Sequence, residues 1–169
     1  MILLVALVCA APFVSAWTAY YFYKPEGGQS YGTLLQTKPL PDVGTLFADP
    51  ELKGKWRLVH FEPTACDEAC QKSLYVTRQA RTMLGRERER LVRIALVQNA
   101  ADPALKATHP DLTAVAVPSQ MSTELRTALD KGVLLIDPLG NQVIVWPKDA
   151  DIKKLNRDLA RLMKASRIG

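Results

Sequence analysis

The stretch His60–Leu74, HFEPTACDEACQKSL, carries two of the chain's three cysteines, Cys66 and Cys70, with three residues between them. Just upstream, KWRLVHFE (Lys55–Glu62) is apolar and partly β-branched or aromatic, the pattern of a buried strand, and Pro63 stops it. Downstream, a helix is expected from about Asp67 to Gly85, with Leu74, Met83 and Leu84 on its apolar side. The cysteines thus fall where a strand hands over to a helix. A helix N-terminus presents unsatisfied N–H groups and the positive end of its dipole, and both favour a thiolate. A spacing of four puts the two side chains on one helical face, about 6 Å apart along the backbone, within reach of a disulfide. Three readings are open: a redox pair, a metal clip, or two small core residues sharing a face. Thr64, Asp67 and Glu68 beside the pair imply partial exposure, which favours chemistry over packing. Glu62, Asp67 and Glu68 also oppose a thiolate by charge, so no strongly depressed thiol pKa is expected.

Outward from this junction the chain alternates. LVRIALVQ (Leu91–Gln98) reads as a second buried strand. NAADPALKATHPDL reads as a loop with at most one helical turn, and TAVAVP (Thr113–Pro118) as a short third strand. SQMSTELRTALDKG has a cap-like Ser119 or Ser122, the helix formers Leu125 and Leu129, and a closing Gly132. VLLID (Val133–Asp137), the turn PLGN and QVIVW (Gln142–Trp146) make a hairpin. Ile152, Leu155, Leu159, Leu162 and Met163 then line one face of a last helix. This order predicts an α/β, thioredoxin-like domain over residues 51–169, a central mixed sheet flanked by helices.

The N-terminal residues 1–23 contain no charged side chain. As a helix they would measure about 34 Å, enough to cross a hydrocarbon core of about 30 Å. Trp17, Tyr20, Tyr21 and Tyr23 crowd one end, where aromatic rings favour the membrane interface. A signal peptide cleaved after Ala16 would lack its charged n-region, and lipid attachment at Cys9 is disfavoured by Val8 before it. A retained transmembrane anchor is therefore expected, with the lipid bilayer as its partner, followed by a Gly- and Pro-rich linker over residues 24–50. That tether is expected to order in part against the domain, with LLQTKPLP (Leu34–Pro41) as a short extended piece. The net charge of +5 comes with an arginine run, Arg78 to Arg93, interleaved with Glu87 and Glu89. Read as a helix, the run is a solvated face with internal ion pairs, and no nucleic-acid motif accompanies it.

GKWRLVHFEPTACDEAC, with VLLIDPLGN further on, resembles the Sco/SenC family of thioredoxin-like cytochrome c oxidase assembly proteins. The shared features are the GK-W opening, the apolar strand, a Thr shortly before the first cysteine, and the C-x-x-x-C pair. The resemblance implies a single-pass protein of the inner membrane with its domain in the periplasm. It also implies a copper-site subunit of cytochrome c oxidase, or other assembly factors, as partners. In the family the positions matching Cys66 and Cys70 bind copper with a late histidine and also cycle between dithiol and disulfide. Here that histidine is missing: Leu129, Asp130 and Lys131 stand in its region, and Asp67–Glu68–Ala69 replaces the usual Pro-containing triplet. Two thiolates suit Cu(I), whereas Cu(II) wants nitrogen or oxygen donors as well. His60, in the first strand, is expected to be a hydrogen-bonded core residue and is the one candidate third metal ligand; His109, in THPDL, is expected on a surface loop. The leading expectation is thiol–disulfide exchange with Cys66 as attacker and Cys70 as resolver. The alternatives are a Cu(I) chaperone and a non-catalytic assembly factor with a structural disulfide.

Overall fold

A computed structural model describes residues 1–22 and 30–169, and the chain divides into two compact units, Met1–Ser30 and Tyr31–Gly169. The end of the expected anchor and the start of the expected linker, residues 23–29, lie outside the described residues.

In the first unit, helix α1 (Ile2–Phe22) runs for 21 residues without a charged side chain and accommodates Pro12. Leu4, Val5, Phe13, Trp17 and Phe22 are all exposed on it. Tyr21 packs near Trp17 and edge-on to Tyr20, at ring separations of 6.1 and 5.5 Å. Among the described residues no helix counts as long and apolar enough to cross a membrane, and the side chains of Ile2, Leu3, Ala6 and Leu7 lie outside that count.

The second unit is built on one six-stranded mixed sheet. Its strands are β1 (Thr33–Leu34), β2 (Trp56–Glu62), β3 (Leu91–Val97), β4 (Leu112–Ala116), β5 (Val133–Ile136) and β6 (Gln142–Trp146), in the spatial order β1-β6-β5-β2-β3-β4. β2, β3 and β4 are parallel, so each step between them needs a crossover. Helix α3 (Glu68–Thr82) supplies the first crossover and helix α4 (Pro103–Thr108) the second. β5 and β6 return antiparallel as the hairpin.

All seven residues of β2 are buried, which is why its sequence reads as a nearly continuous apolar run. The strand period sends Val59 and Phe61 to one face of the sheet. There they meet Leu125 and Leu129 of α5 (Thr123–Asp130) and Val43 of α2 (Val43–Leu46). Trp56 and Leu58 go to the other face, against Val76 and Ala80 of α3 and against Leu155, Leu159 and Met163 of α6 (Ile152–Ala165). Each of those α6 side chains is at most 1% exposed, and burial of one such side chain contributes about 1.5–3 kcal/mol. Side-chain caps start the helices: Asp67 accepts from the Cys70 N–H, Ser122 from Leu125 and Asp151 from Lys154. Gly132 joins α5 to β5 at φ +148°, and a Cβ there would lie 2.0 Å from the Trp146 carbonyl oxygen, so no larger residue fits.

Three local expectations are refined. Residues 31–50, read as a linker partly ordered against the domain, belong to the compact unit Tyr31–Gly169. β1 pairs with β6, Leu40 and Phe47 are 5% and 4% exposed, and the Gly32 N–H donates to the buried Asp158 carboxylate that also holds Trp146 Nε1. Their buried apolar residues are spaced irregularly, so no helix or strand period announces them. The loop before β4 contains a full short helix, α4, capped by Asp102 with Pro103 at its first turn. The arginine run is not one helical face, because it spans the end of α3, a 3₁₀ stretch (Gly85–Arg90) and β3. Arg90 donates to the carbonyls of Met163, Ser166, Ile168 and Gly169, and Arg93 is fully buried.

Candidate functional site

The strand-to-helix junction at the end of β2 holds Cys66 and Cys70 as a disulfide, with their Cα atoms 5.3 Å apart. Cys66 immediately precedes the α3 N-cap, Asp67, and Cys70 is the third residue of the helix. The two sulfurs are not equivalent. Cys70 is 2% exposed and packs with Leu74, Ala95, Val97 and Leu105. Cys66 is partly exposed and lines a cavity of about 410 Å³ together with Thr64, Gln71, Asn99 and Asp102, which Cys70 does not reach. Of the acids that oppose a thiolate, Glu62 is neutralised by Lys148, whose Nζ lies 2.8 Å from Oε1 and also donates to the Phe61 carbonyl. Asp67 spends one carboxylate oxygen on the Cys70 N–H. The junction is therefore less hostile to a thiolate than its acid count implies.

His60 is 1% exposed, and its Nε2 lies 2.9 Å from Thr77 Oγ1. Thr77 comes seven residues after Cys70, about 10 Å further along α3. Burial first, then the charges of Arg93 and Lys148, hold the imidazole pKa well below its ordinary value, so the ring is neutral. The structure therefore engages His60 with Thr77 and does not bring it to the cysteines. Thr77 belongs to a buried polar layer. Arg93 Nε donates to Thr77 Oγ1, its second nitrogen donates to the Leu74 carbonyl, and its third grips both oxygens of Asp111 at 3.0 and 3.1 Å. Burial lowers the Arg93 pKa in spite of this partner. For Asp111, burial pushes the carboxyl up, but Arg93 and Arg81 outweigh it and the net shift is downward. The opposite effects reflect unequal solvation, since the Arg93 side chain is 0% exposed and that of Asp111 27%.

His109 is the main correction to the sequence reading. It caps the C-terminus of α4, is only 2% exposed, and sits 3.1 Å through Nε2 from Oε1 of Gln71. Gln71 in turn donates through Nε2 to Cys66 Sγ at 3.4 Å. Neither contact was visible from spacing. Gln71 looks like an ordinary polar helix residue. The Asp102–Pro103 start signal, though, would have placed α4 and hence made His109 a helix-capping residue. The region of the absent late histidine holds no ligand: Leu129 is core, Asp130 pairs with Arg126 at 3.1 Å, and Lys131 is exposed. Among the described residues there is no group of three or more His, Cys, Asp or Glu side chains able to hold a metal. The donor set at the junction is two sulfurs. It does not fit a resident Cu(II) centre, and it fits Cu(I) as a cargo of the reduced pair.

Fold and site together define a thioredoxin-like domain with a C-x-x-x-C disulfide at the end of its central strand and one sulfur open to a groove. The chain belongs to the family described as transmembrane-like, thioredoxin-like, C-terminal domain, which matches residues 56–166. Among solved structures it is similar to yeast Sco1, at 15% identity over 82% of this chain and 100% of that one, with a TM-score of 0.56. Apo Sco1 from Thermus thermophilus matches at 18% identity over 83% of this chain and 98% of that one, TM-score 0.55. Copper-bound Arabidopsis thaliana ScoI matches at 17% identity over 68% and 87%, TM-score 0.55. At these identities the likeness establishes the thioredoxin-like fold, and these three neighbours are Sco proteins, as the resemblance of the cysteine loop implied. No curated protein matches the chain.

Proposed function

We propose that this protein exchanges disulfides with a partner during cytochrome c oxidase assembly, as a single-pass inner-membrane protein whose domain lies in the periplasm. The observation that carries the exchange reading is the asymmetry of the pair: Cys66 lines an open groove while Cys70 is sealed behind it. In the reduced protein the Cys66 thiolate attacks a partner disulfide, forming an S–S bond to one partner sulfur and releasing the other as a thiolate. Cys70 then attacks Cys66 Sγ, the mixed disulfide breaks, and the second partner sulfur leaves. Cys66 and Cys70 end oxidised, the partner ends as a dithiol, and the two protons given up by this pair go to the partner's sulfurs. Every step reverses when the partner is the reductant. The apolar, exposed side chains of α1 and its terminal aromatic cluster support the anchor, and the family resemblance and the paired cysteines support the periplasmic setting.

The test uses the full chain in detergent micelles and a disulfide-bonded peptide bearing a copper-site cysteine pair of an oxidase subunit. Cys70→Ser should trap a mixed disulfide on Cys66, and Cys66→Ser should trap nothing. Equal trapping by both variants, or by neither, would overturn the reading.

A second reading, Cu(I) delivery by the reduced pair, is favoured by the likeness to a copper-bound ScoI. With His60 held by Thr77, a third ligand would come from the client. Anaerobic Cu(I) titration that shows tight one-to-one binding, lost in Cys66→Ser, would bring this reading forward.

A further inference from the structure

In the oxidised state neither sulfur bears a hydrogen, so only the amide nitrogen of Gln71 makes a favourable contact with Cys66 Sγ. The amide oxygen must then face His109, and Nε2 of that ring must carry the proton it donates. This leaves Nδ1 as a bare lone pair, and Nδ1 is buried with no hydrogen-bond partner. A neutral ring with the proton on Nε2 is the one form that agrees with all three observations. Burial, then the charges of Arg93 and Arg78, also keep the His109 pKa below its ordinary value. The imidazole thus works as a fixed donor that locks the Gln71 amide in one orientation.

We infer that Gln71, locked by His109, is the positioning residue that makes Cys66 the exchanging sulfur. When the disulfide opens, the locked N–H donates to the Cys66 sulfur as a thiolate acceptor, a charge-assisted bond stronger than its contact with the disulfide. A flip that would offer the amide oxygen to a Cys66 thiol instead breaks the bond to His109. The amide therefore stabilises the reduced pair relative to the oxidised one and aims Cys66 into the groove that both residues line. Gln71 is at the fourth position of α3, one residue after Cys70, so the same helix start that caps Cys70 delivers the donor to Cys66.

This inference rests on the exchange reading, and its test is chosen to fail separately. The full chain in micelles is equilibrated with glutathione buffers, and the Cys66–Cys70 equilibrium constant is read for wild type, Gln71→Leu, Gln71→Glu and His109→Phe. The expected shift for Gln71→Leu is about tenfold towards the disulfide, equivalent to about 30 mV lower potential. Gln71→Glu, nearly isosteric but with a negative charge at the sulfur, should shift it further in the same direction. His109→Phe, which frees the amide to flip, should shift it less than Gln71→Leu. Thermal unfolding of each variant identifies any loss of fold, and Gln71→Glu keeps the side-chain shape if Gln71→Leu unfolds. Equilibrium constants within twofold of wild type in both Gln71 variants would overturn the inference, as would a shift towards the dithiol. Mixed-disulfide trapping reports on the exchange reading itself and does not depend on these values.

Discussion

Helix α3 covers two polar regions that differ in one respect, saturation. At its N-terminus, Cys66, Gln71 and His109 form a chain with a sulfur open to a groove at one end and an unpartnered ring nitrogen at the other. Two turns further on, His60, Thr77, Arg93 and Asp111 form a closed layer, with Arg93 donating to a hydroxyl, a backbone carbonyl and a carboxylate. The closed layer cements α3 to β2 and β3 and leaves little to react with. The open chain contributes less to stability and keeps its chemistry available. Buried polar groups that are fully satisfied specify structure. Those left with spare capacity next to a reactive atom are where function is to be sought.

The contrast can be broken most forcefully at Asp111. Asp111→Ala leaves the fully buried Arg93 guanidinium without its counter-ion and should destabilise the domain by about 3–5 kcal/mol in urea unfolding followed by tryptophan fluorescence. A loss below about 1 kcal/mol, the range of an exposed ion pair, would mean that water replaces the carboxylate beside Arg93 and that the layer is not closed. Opening the other region should matter less. Reducing the Cys66–Cys70 disulfide releases a loop of only about five residues, for which chain entropy sets a loss of about 2 kcal/mol. A reduced protein as unstable as Asp111→Ala would make the disulfide a structural bridge and erase the distinction between the regions.

The smallest effect sharpens the comparison through pH. His60 has a folded pKa well below its ordinary 6.5, so the unfolded chain takes up the proton first. Its stabilisation is complete above 6.5 and is lost as pH falls below that value towards the folded pKa. The slope is at most about 1.4 kcal/mol per pH unit for one such group. His109 adds a loss in the same direction. Urea midpoints compared at about pH 7 and about pH 5.5 should therefore drop for wild type and drop less for His60→Gln, which keeps a donor for Thr77. An unchanged slope in that variant would remove His60 from the titrating set.

Much of this molecule was legible beforehand. The strand Trp56–Glu62, the hairpin Val133–Trp146 and the final helix follow from runs of apolar residues at period 2 or 3.6, because burial repeats with the geometry of the element. The cysteine junction was legible for the same reason: Pro63 ends a strand and Asp67 caps a helix. Residues 31–50 were legible only as a partly ordered tether, since irregular segments bury side chains without a period, as Leu40 and Phe47 do. The arginines misled because charge alone does not distinguish Arg93, paired inside the sheet, from Arg86 and Arg88, which are exposed.

What the sequence by itself determined is the fold class and the address of the chemistry, two cysteines at a strand-to-helix turn, since both depend on local pattern. Only the tertiary structure decided which sulfur is open, that His60 turns to Thr77, and that His109 lies buried behind Gln71. The two histidine contacts join residues 17 and 38 positions apart, made when α3 and α4 settle on the same sheet, and no local period encodes them.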